Sequence, residues 1–502
     1  MAYNTDIEYT DKFYPEWSLS NLRLQCALKG IEMPKIDQAC ELGFGQGVTL
    51  NLLASTSEVS WYGTDFLQVH VDNAKTMAHE LDNDVKLYNL SFKDFSEVKN
   101  LPKFDLIVLH GIFSWISEEN QKVILDFIEN RLSDNGLVYI SYNARPGSEV
   151  FKPAQYLMNQ LRLQLSKTLS DPVSQVNHIH AFMQSFHQTS PKYLQTFTGI
   201  EQKLQGFKDK DPKYLIHEYF NSDWRSFFFS EIANRMNKLG LSYLSQSRLN
   251  DELSAFNFTS DQLKFLKSSK VTGTLEQDLK DAMCNRQFRR DIWIKSPVSM
   301  TTESFNQWLQ NTFIILTRPI SSLDLSIKGL AVSASMDNPL YHGLLKKLKT
   351  YKAFSLQSLM SEMQINSSQL LEMLGLLHVN GIVSLCSGDL VNQEKLQKAK
   401  RANIFAVEKA MIHQCEAILV LPIAGAFLQI DYWLSLYLHL VWRDELSHEQ
   451  AVPKMVAFIE AHNVEIKINN KAVELEPFIH GVVKNIETSF LDFLIKHKVI
   501  AG

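Results

Sequence analysis

The stretch Glu41-Leu42-Gly43-Phe44-Gly45-Gln46-Gly47 sets a carboxylate beside a loop of glycines, directly after an apolar run. Glycine lets the backbone turn tightly and approach a ligand with no Cβ in the way. The spacing is GxGxG. A dinucleotide loop needs its third glycine where Val48 stands, to seat a pyrophosphate on a helix N-terminus. A phosphate-free ligand fits this pattern better: the amino-acid end of S-adenosylmethionine can lie over the loop, with its ammonium donating to Glu41. Gly43, Phe44, Gly45 and Gly47 join Glu41 as cofactor-binding candidates. Asp65 ends the next apolar run, about 24 residues after Glu41. A carboxylate there can accept from both ribose hydroxyls, or it can cap the following helix. Phe66 can lie against adenine or pack in the core. Asn89, Ser91 and Asp94 follow a third run, where an adenine amino group would sit; Ser91 is taken as the candidate contact.

These groups need strands to carry them. Apolar runs at Ile36–Leu42, Val59–Gly63, Val85–Leu90, Phe104–Leu109 and Gly136–Tyr142 alternate with amphipathic stretches such as Glu118–Leu132. That alternation predicts parallel βαβ units with ligands at the carboxyl ends of the strands. Residues 148–221 read as helices, an insertion that could act as a lid or dimerisation element. A helix over Trp224–Leu239, then strands at Leu241–Gln246 and Arg289–Lys295, would complete the first domain. The expected fold is α/β: a Rossmann-like, seven-stranded core over 1–147 and 222–297, followed by mostly helical accessory domains. Residues 298–336 read as a connector opening a middle domain over 298–390. Leu340–Cys386 there has a winged-helix rhythm, but Ser367–Asn380 carries neither Lys nor Arg, so a packing or protein-binding module is favoured over a DNA reader. Residues 391–502 form a helical C-terminal domain, with a hairpin expected to turn at Asn469-Asn470.

Composition narrows the class. A chain of 502 residues exceeds one hydrophobic core. The hydrophobic share is 45% and the charged share 21%, ordinary for a globular protein. A formal charge of -5 gives no electrostatic case for nucleic acid. Five scattered cysteines without a CxxC pair suit a reducing compartment, and the polar, aromatic N-terminus has no secretory pattern; the cytoplasm is the expected location. Ala417–Trp442 is long and apolar but contains Pro422, Gln429, Asp431 and His439. It is read as two buried helices broken near Pro422 and Gly425, with no stable membrane insertion. His178 and His180 do not share a helical face, and no metal site is expected.

The motifs extend beyond the glycines. Phe104-Asp105-Leu106-Ile107-Val108-Leu109-His110-Gly111-Ile112-Phe113-Ser114-Trp115 resembles the FD(x)4HGxxSW stretch of bacterial class I methyltransferases that carry a regulatory region. Ser141-Tyr142-Asn143-Ala144-Arg145-Pro146-Gly147 resembles their SYNxxPG, His217-Glu218-Tyr219 their HEY block, Gly240–Leu244 their GLxYL and Gln287–Arg290 their final-strand pattern. The matches run in order from about residue 9 to 296. Phe44 departs from the family, which usually has Cys there. The resemblance implies S-adenosylmethionine as cofactor and S-adenosylhomocysteine as product. Since the known members include rickettsial lysine methyltransferases of outer-membrane proteins, it also implies a protein substrate, lysine methylation and a homodimer. Small-molecule or saccharide N- or O-methylation is the alternative, and a weakly catalytic cofactor-binding regulator a third reading. His110, Gly111 and Trp115 follow the fourth strand, at the edge facing the transferable methyl in this fold. His110 and Gly111 are candidates for the cofactor; His110, Trp115, Tyr142 and Asn143 are candidates for catalysis. Each has a plainer reading in turn formation or packing. Tyr9, Phe13 and Tyr14 could close over the cofactor as an aromatic lid. His217 and Glu218 could sit over the pocket or merely stabilise a helix.

Overall fold

The computed structural model describes residues 12–196, 199–221, 223–387, 392–443, 446, 448–461, 467–468, 471–472 and 474–499. Its first region is built on seven strands: β1 (Gln38–Leu42), β2 (Ser60–Asp65), β3 (Lys86–Asn89), β4 (Phe104–Leu109), β5 (Leu132–Asn143), β6 (Leu241–Gln246) and β7 (Phe288–Lys295). They form one sheet in the order β3-β2-β1-β4-β5-β7-β6. The first five run parallel. β7 enters antiparallel between β5 and β6. The parallel strands are short apolar runs because both faces are covered. Strand order turns back at β1 and β4, which places a crevice at their carboxyl ends.

Alternation along the strands divides the core. Cys40, Ile107, Leu109, Val138, Ile140 and Tyr142 face one layer, with the helix Glu118–Arg131 against them. Ala39, Leu106, Val108, Leu137 and Tyr139 face the other, against Trp17, Leu22 and Cys26.

The helices after β5 make a separate small core around Phe151, Met158, Ile179 and Tyr219. The expected helix at Trp224 begins only at Phe229. The preceding residues are held extended: Phe227 donates its N–H to the Asn143 carbonyl and accepts from Arg145 N. Once β5 captures the backbone, it cannot coil.

Two other expectations are overturned. The connector contains Thr312–Leu316, the central strand of a three-stranded sheet with Phe354–Ser355 and Val383–Ser387. A five-residue apolar run with β-branched residues suits a strand. The helices Pro339–Leu348, Leu356–Met363 and Ser367–Val379 pack with that sheet. Ala417–Trp442 is not two helices: Ala417–Leu421 pairs antiparallel with Ala426–Ile430, and a helix starts at Tyr432. Each arm is only five residues, and Pro422–Gly425 forms the turn, so the run is too short on either side for a buried helix. Among the described residues, no helix is long and apolar enough to cross a membrane. The later hairpin pairs Lys467 with Ala472 and Ile468 with Lys471.

The C-terminal half packs on the first region through buried contacts. Ser20 Oγ lies 2.6 Å from Ser384 Oγ and accepts from Leu385 N. Leu24 and Leu249 are buried in the same cluster as Ile314, Leu374 and Leu419.

Candidate functional site

A cavity of about 1130 Å³ opens at the carboxyl ends of β1, β2, β4 and β5. Glu41 closes β1 with its side chain buried, and Oε2 has no hydrogen-bond partner. Burial, with Asp65 adding repulsion, pushes its carboxyl up to about 8. A buried acceptor without a partner is costly, and a ligand ammonium would supply one.

The glycine loop follows. Gly43, Gly45 and Gly47 have φ of +74°, +58° and +70°, a conformation that disfavours side chains. At Gly47 a Cβ would also lie 2.5 Å from Ala74 Cβ, so the close approach of the two helices behind the loop needs glycine. All three glycine N–H groups are consumed within the protein. Gly43 donates to the Thr64 carbonyl, Gly45 to Asp65 Oδ2 and Gly47 to the Phe44 carbonyl. A pyrophosphate would find none of them available and would face two carboxylates. Phe44, at the family's usual Cys position, is buried over Gly63, where a Cβ would stand 2.7 Å from its ring.

Asp65 Oδ1 accepts from Leu67 N at 3.0 Å and lies 3.2 Å from His70 Nδ1. With Gly45 on Oδ2, Asp65 therefore braces both the loop and the start of the next helix. It still lines the cavity, and a carboxylate has about four acceptor positions, so capacity for ribose hydroxyls remains. Phe66 lines the cavity and is 47% exposed, which removes the core-packing reading. Ser91 is a correction: its Oγ accepts from Asp94 N and donates to Asp94 Oδ2, capping the short helix Phe92–Ser96, and it does not line the cavity. A serine just before a helix is held by the helix's own unpaired N–H groups.

The far half of the cavity has mixed walls. His110 Nδ1 lies 2.8 Å from Tyr139 OH, and its ring sits 3.9 Å from that of Tyr14 and 5.3 Å from that of Trp17. Burial, then the nearby Arg290, Arg248 and Lys12, hold the imidazole well below its usual range, so it stays neutral and is a poor proton acceptor. Gly111 N donates to Ser141 Oγ. Trp115 lines the cavity and donates Nε1–H to the Glu218 carbonyl, tying the loop after β4 to the helical insertion. Asn143 also lines it, with Nδ2 buried and without a partner. Tyr142 does not. It is fully buried on the other sheet face and donates to Asp291 Oδ2 at 2.5 Å, beside Arg289. Neighbouring residues on a strand point to opposite faces, so Tyr142 and Asn143 could not both face an acceptor.

The N-terminal segment closes one side: Tyr14 N donates to Thr49 Oγ1, and the Phe13 ring packs at a tilt against that of Phe427, with centroids 4.3 Å apart. Tyr9 lies outside the described residues. His217 and Glu218 do line the cavity, together with Lys203 and Tyr214. Sequence reasoning missed Tyr139 and Ser141, which counting by two back from Asn143 would have found, and the Glu16–Arg248–Arg290 cluster, which has no local signal. Glu16 Oε1 lies 2.9 Å from Arg248 Nε and 3.5 Å from Arg290 Nε. Among the described residues, no three His, Cys, Asp or Glu side chains are grouped for a metal.

Several known proteins are similar to this chain. Residues 211–295 fit the model of the predicted methyltransferase regulatory domain. An uncharacterized protein of Synechocystis sp. is 33% identical over 331 residues, covering 64% of each chain. The chain thus spans just under two thirds of that relative's length. An uncharacterized protein of Rickettsia prowazekii is 29% identical over 241 residues, 46% of this chain and 94% of the relative. PKMT2 from Rickettsia typhi, solved in complex with AdoHcy, superposes with a TM-score of 0.69 at 17% identity, covering 98% of this chain and 100% of that one. At that identity the likeness establishes the fold. The chain therefore has the class I, Rossmann-like methyltransferase fold with accessory helices, and its residues 211–295 resemble the methyltransferase regulatory domain.

Proposed function

We propose that this protein is an S-adenosylmethionine-dependent methyltransferase acting on lysine side chains of a protein. The observation that carries the cofactor reading is the glycine loop. Its three amides are spent internally, while Glu41 Oε2 remains buried and unpartnered beside it. Such a loop suits a cationic, phosphate-free ligand. When bound, S-adenosylmethionine supplies a methyl group activated on a sulfonium. Glu41 would hold its ammonium, Asp65 its ribose and Phe66 its adenine. His110, Gly111 and Asn143 border the space left for an acceptor. The accessory regions and the likeness to the Rickettsia typhi PKMT2 fold support a macromolecular acceptor. Five free thiols suit the cytoplasm. The exposed apolar side chains Tyr156, Leu157, Leu163 and Phe182 on the insertion support a homodimer.

Calorimetry with S-adenosylhomocysteine and with NAD tests the cofactor. Binding of NAD alone would overturn the reading. Incubation with labelled S-adenosylmethionine and a cell lysate tests the acceptor. Label on protein lysines is expected; label confined to small molecules would replace lysine with the small-molecule reading.

A further inference from the structure

Five carboxylates line the cavity: three are bonded within the protein, and a fourth, Glu41, is assigned to the proposed cofactor. Glu16 is held by Arg248 and Arg290. Asp65 braces the glycine loop and Glu41 stands at the cofactor end. Glu416 is bonded to Gln429 at the rim. Glu218 differs. Among the described residues its carboxylate accepts no hydrogen bond, although the backbone of the same residue is fixed by Trp115. It lies on the helix Pro212–Tyr219 and lines the cavity together with Tyr14 and Tyr214. Trp115 and Phe288 complete an aromatic surround, with ring centroids 6.2 Å apart. Aromatic faces beside a carboxylate make a recognition site for an organic cation.

We propose that Glu218 is the catalytic base that takes the proton of a primary ammonium held among Tyr14, Tyr214 and Trp115, which deepens the methyltransferase reading and rests on it. An ammonium has no lone pair to attack with. Transfer of one N–H proton to Glu218 leaves a neutral amine and a carboxylic acid. The amine lone pair then forms the new nitrogen–carbon bond as the donor's carbon–sulfur bond breaks, its electron pair remaining on sulfur. Two cations act on Glu218. Lys203, whose Nζ lies 4.4 Å from the Phe151 ring centre, and Lys12, 5.1 Å from that of Tyr214, both favour the carboxylate. Burial opposes them and leaves the group at about 7, suited to exchanging a proton near neutrality. The neutral His110 is the weaker acceptor.

The test uses the full chain, labelled S-adenosylmethionine and poly-L-lysine between pH 6 and 10.5. Glu218→Gln should bind S-adenosylhomocysteine as the parent does. Its kcat should fall about 100-fold near pH 7.5. The deficit should shrink toward pH ~10.4, where lysine releases its own proton. The limb near pH 7 should vanish. A parental pH profile, or a loss uniform across pH, overturns the assignment. If Glu218→Gln does not fold, Glu218→Asp decides: a limb with a moved midpoint supports the role, and an unmoved one overturns it. A parent chain that binds no S-adenosylhomocysteine sinks the cofactor reading. One that binds it yet methylates no amine on poly-L-lysine sinks this inference alone.

Discussion

Single atoms at the cofactor end make distinct demands. Asp65 both braces Gly45 and remains open to the cavity, so Asp65→Ala removes a ligand acceptor and a loop support together. Affinity for S-adenosylhomocysteine should weaken by about 1–3 kcal/mol in a folded variant. An unchanged calorimetric constant would reduce Asp65 to a helix brace. Glu41 gives a pH signature. Its folded carboxyl is raised from 4.5 to about 8. Between those values the folded state keeps a proton that the unfolded chain has released. Stability from this group is therefore full below pH 4.5 and is lost as pH rises through 8. Thermal midpoints of the ligand-free parent should fall relative to Glu41→Gln across that window. Binding a ligand ammonium reverses the preference, so calorimetry near pH 7 in buffers of differing ionisation enthalpy should show proton release, absent in Glu41→Gln. Residue types carried this part of the site well, because Glu41, the glycines and Asp65 are adjacent to strand ends and need no distant partner. Ser91 was misplaced because a serine before a helix satisfies its own backbone first.

At the scale of elements, β5 separates structure from chemistry. Tyr139, Ser141 and Asn143 face the cavity side, while Tyr142 faces the Asp291–Arg289 network. Tyr142→Phe should lower stability by about 1–3 kcal/mol, since it removes a buried hydrogen bond to a carboxylate. It should leave S-adenosylhomocysteine affinity untouched; a selective loss of affinity or turnover without a fall in melting temperature would return Tyr142 to the active site. The parallel strands were legible because each is a short apolar run followed by a helical stretch. The hairpin Ala417–Leu421 with Ala426–Ile430 was not, because an apolar run has no periodicity to separate strand from helix. Only the turn at Pro422–Gly425 distinguishes it. The strand Thr312–Leu316 was overlooked for a related reason: its partners lie 40 or more residues away in Phe354–Ser355 and Val383–Ser387.

For the whole molecule, the two halves share buried surface rather than a linker. Leu24 and Leu249 are packed among residues of the C-terminal half, and His378 Nε2 lies 3.2 Å from Asn21 Oδ1. Scanning calorimetry should therefore show the first region and the C-terminal half melting in one transition, shifted upward by S-adenosylhomocysteine. Two transitions, only one of which responds, would mean that the shared surface does not couple them. This coupling was invisible in the sequence, where each half carries its own apolar pattern and nothing marks which faces meet. The cavity wall itself is drawn from distant parts of the chain: Tyr14 near the start, Glu218 in the insertion, and Ile418 and Gln429 beyond it. A ribosome delivers the glycine loop roughly 370 residues before Ile418, at about 5–20 residues per second. For tens of seconds the nascent chain owns its cofactor loop but lacks one wall of the chamber. The proposed chemistry would then wait for the segment around Ile418, and a chain stopped before it would hold a cavity that lacks this wall.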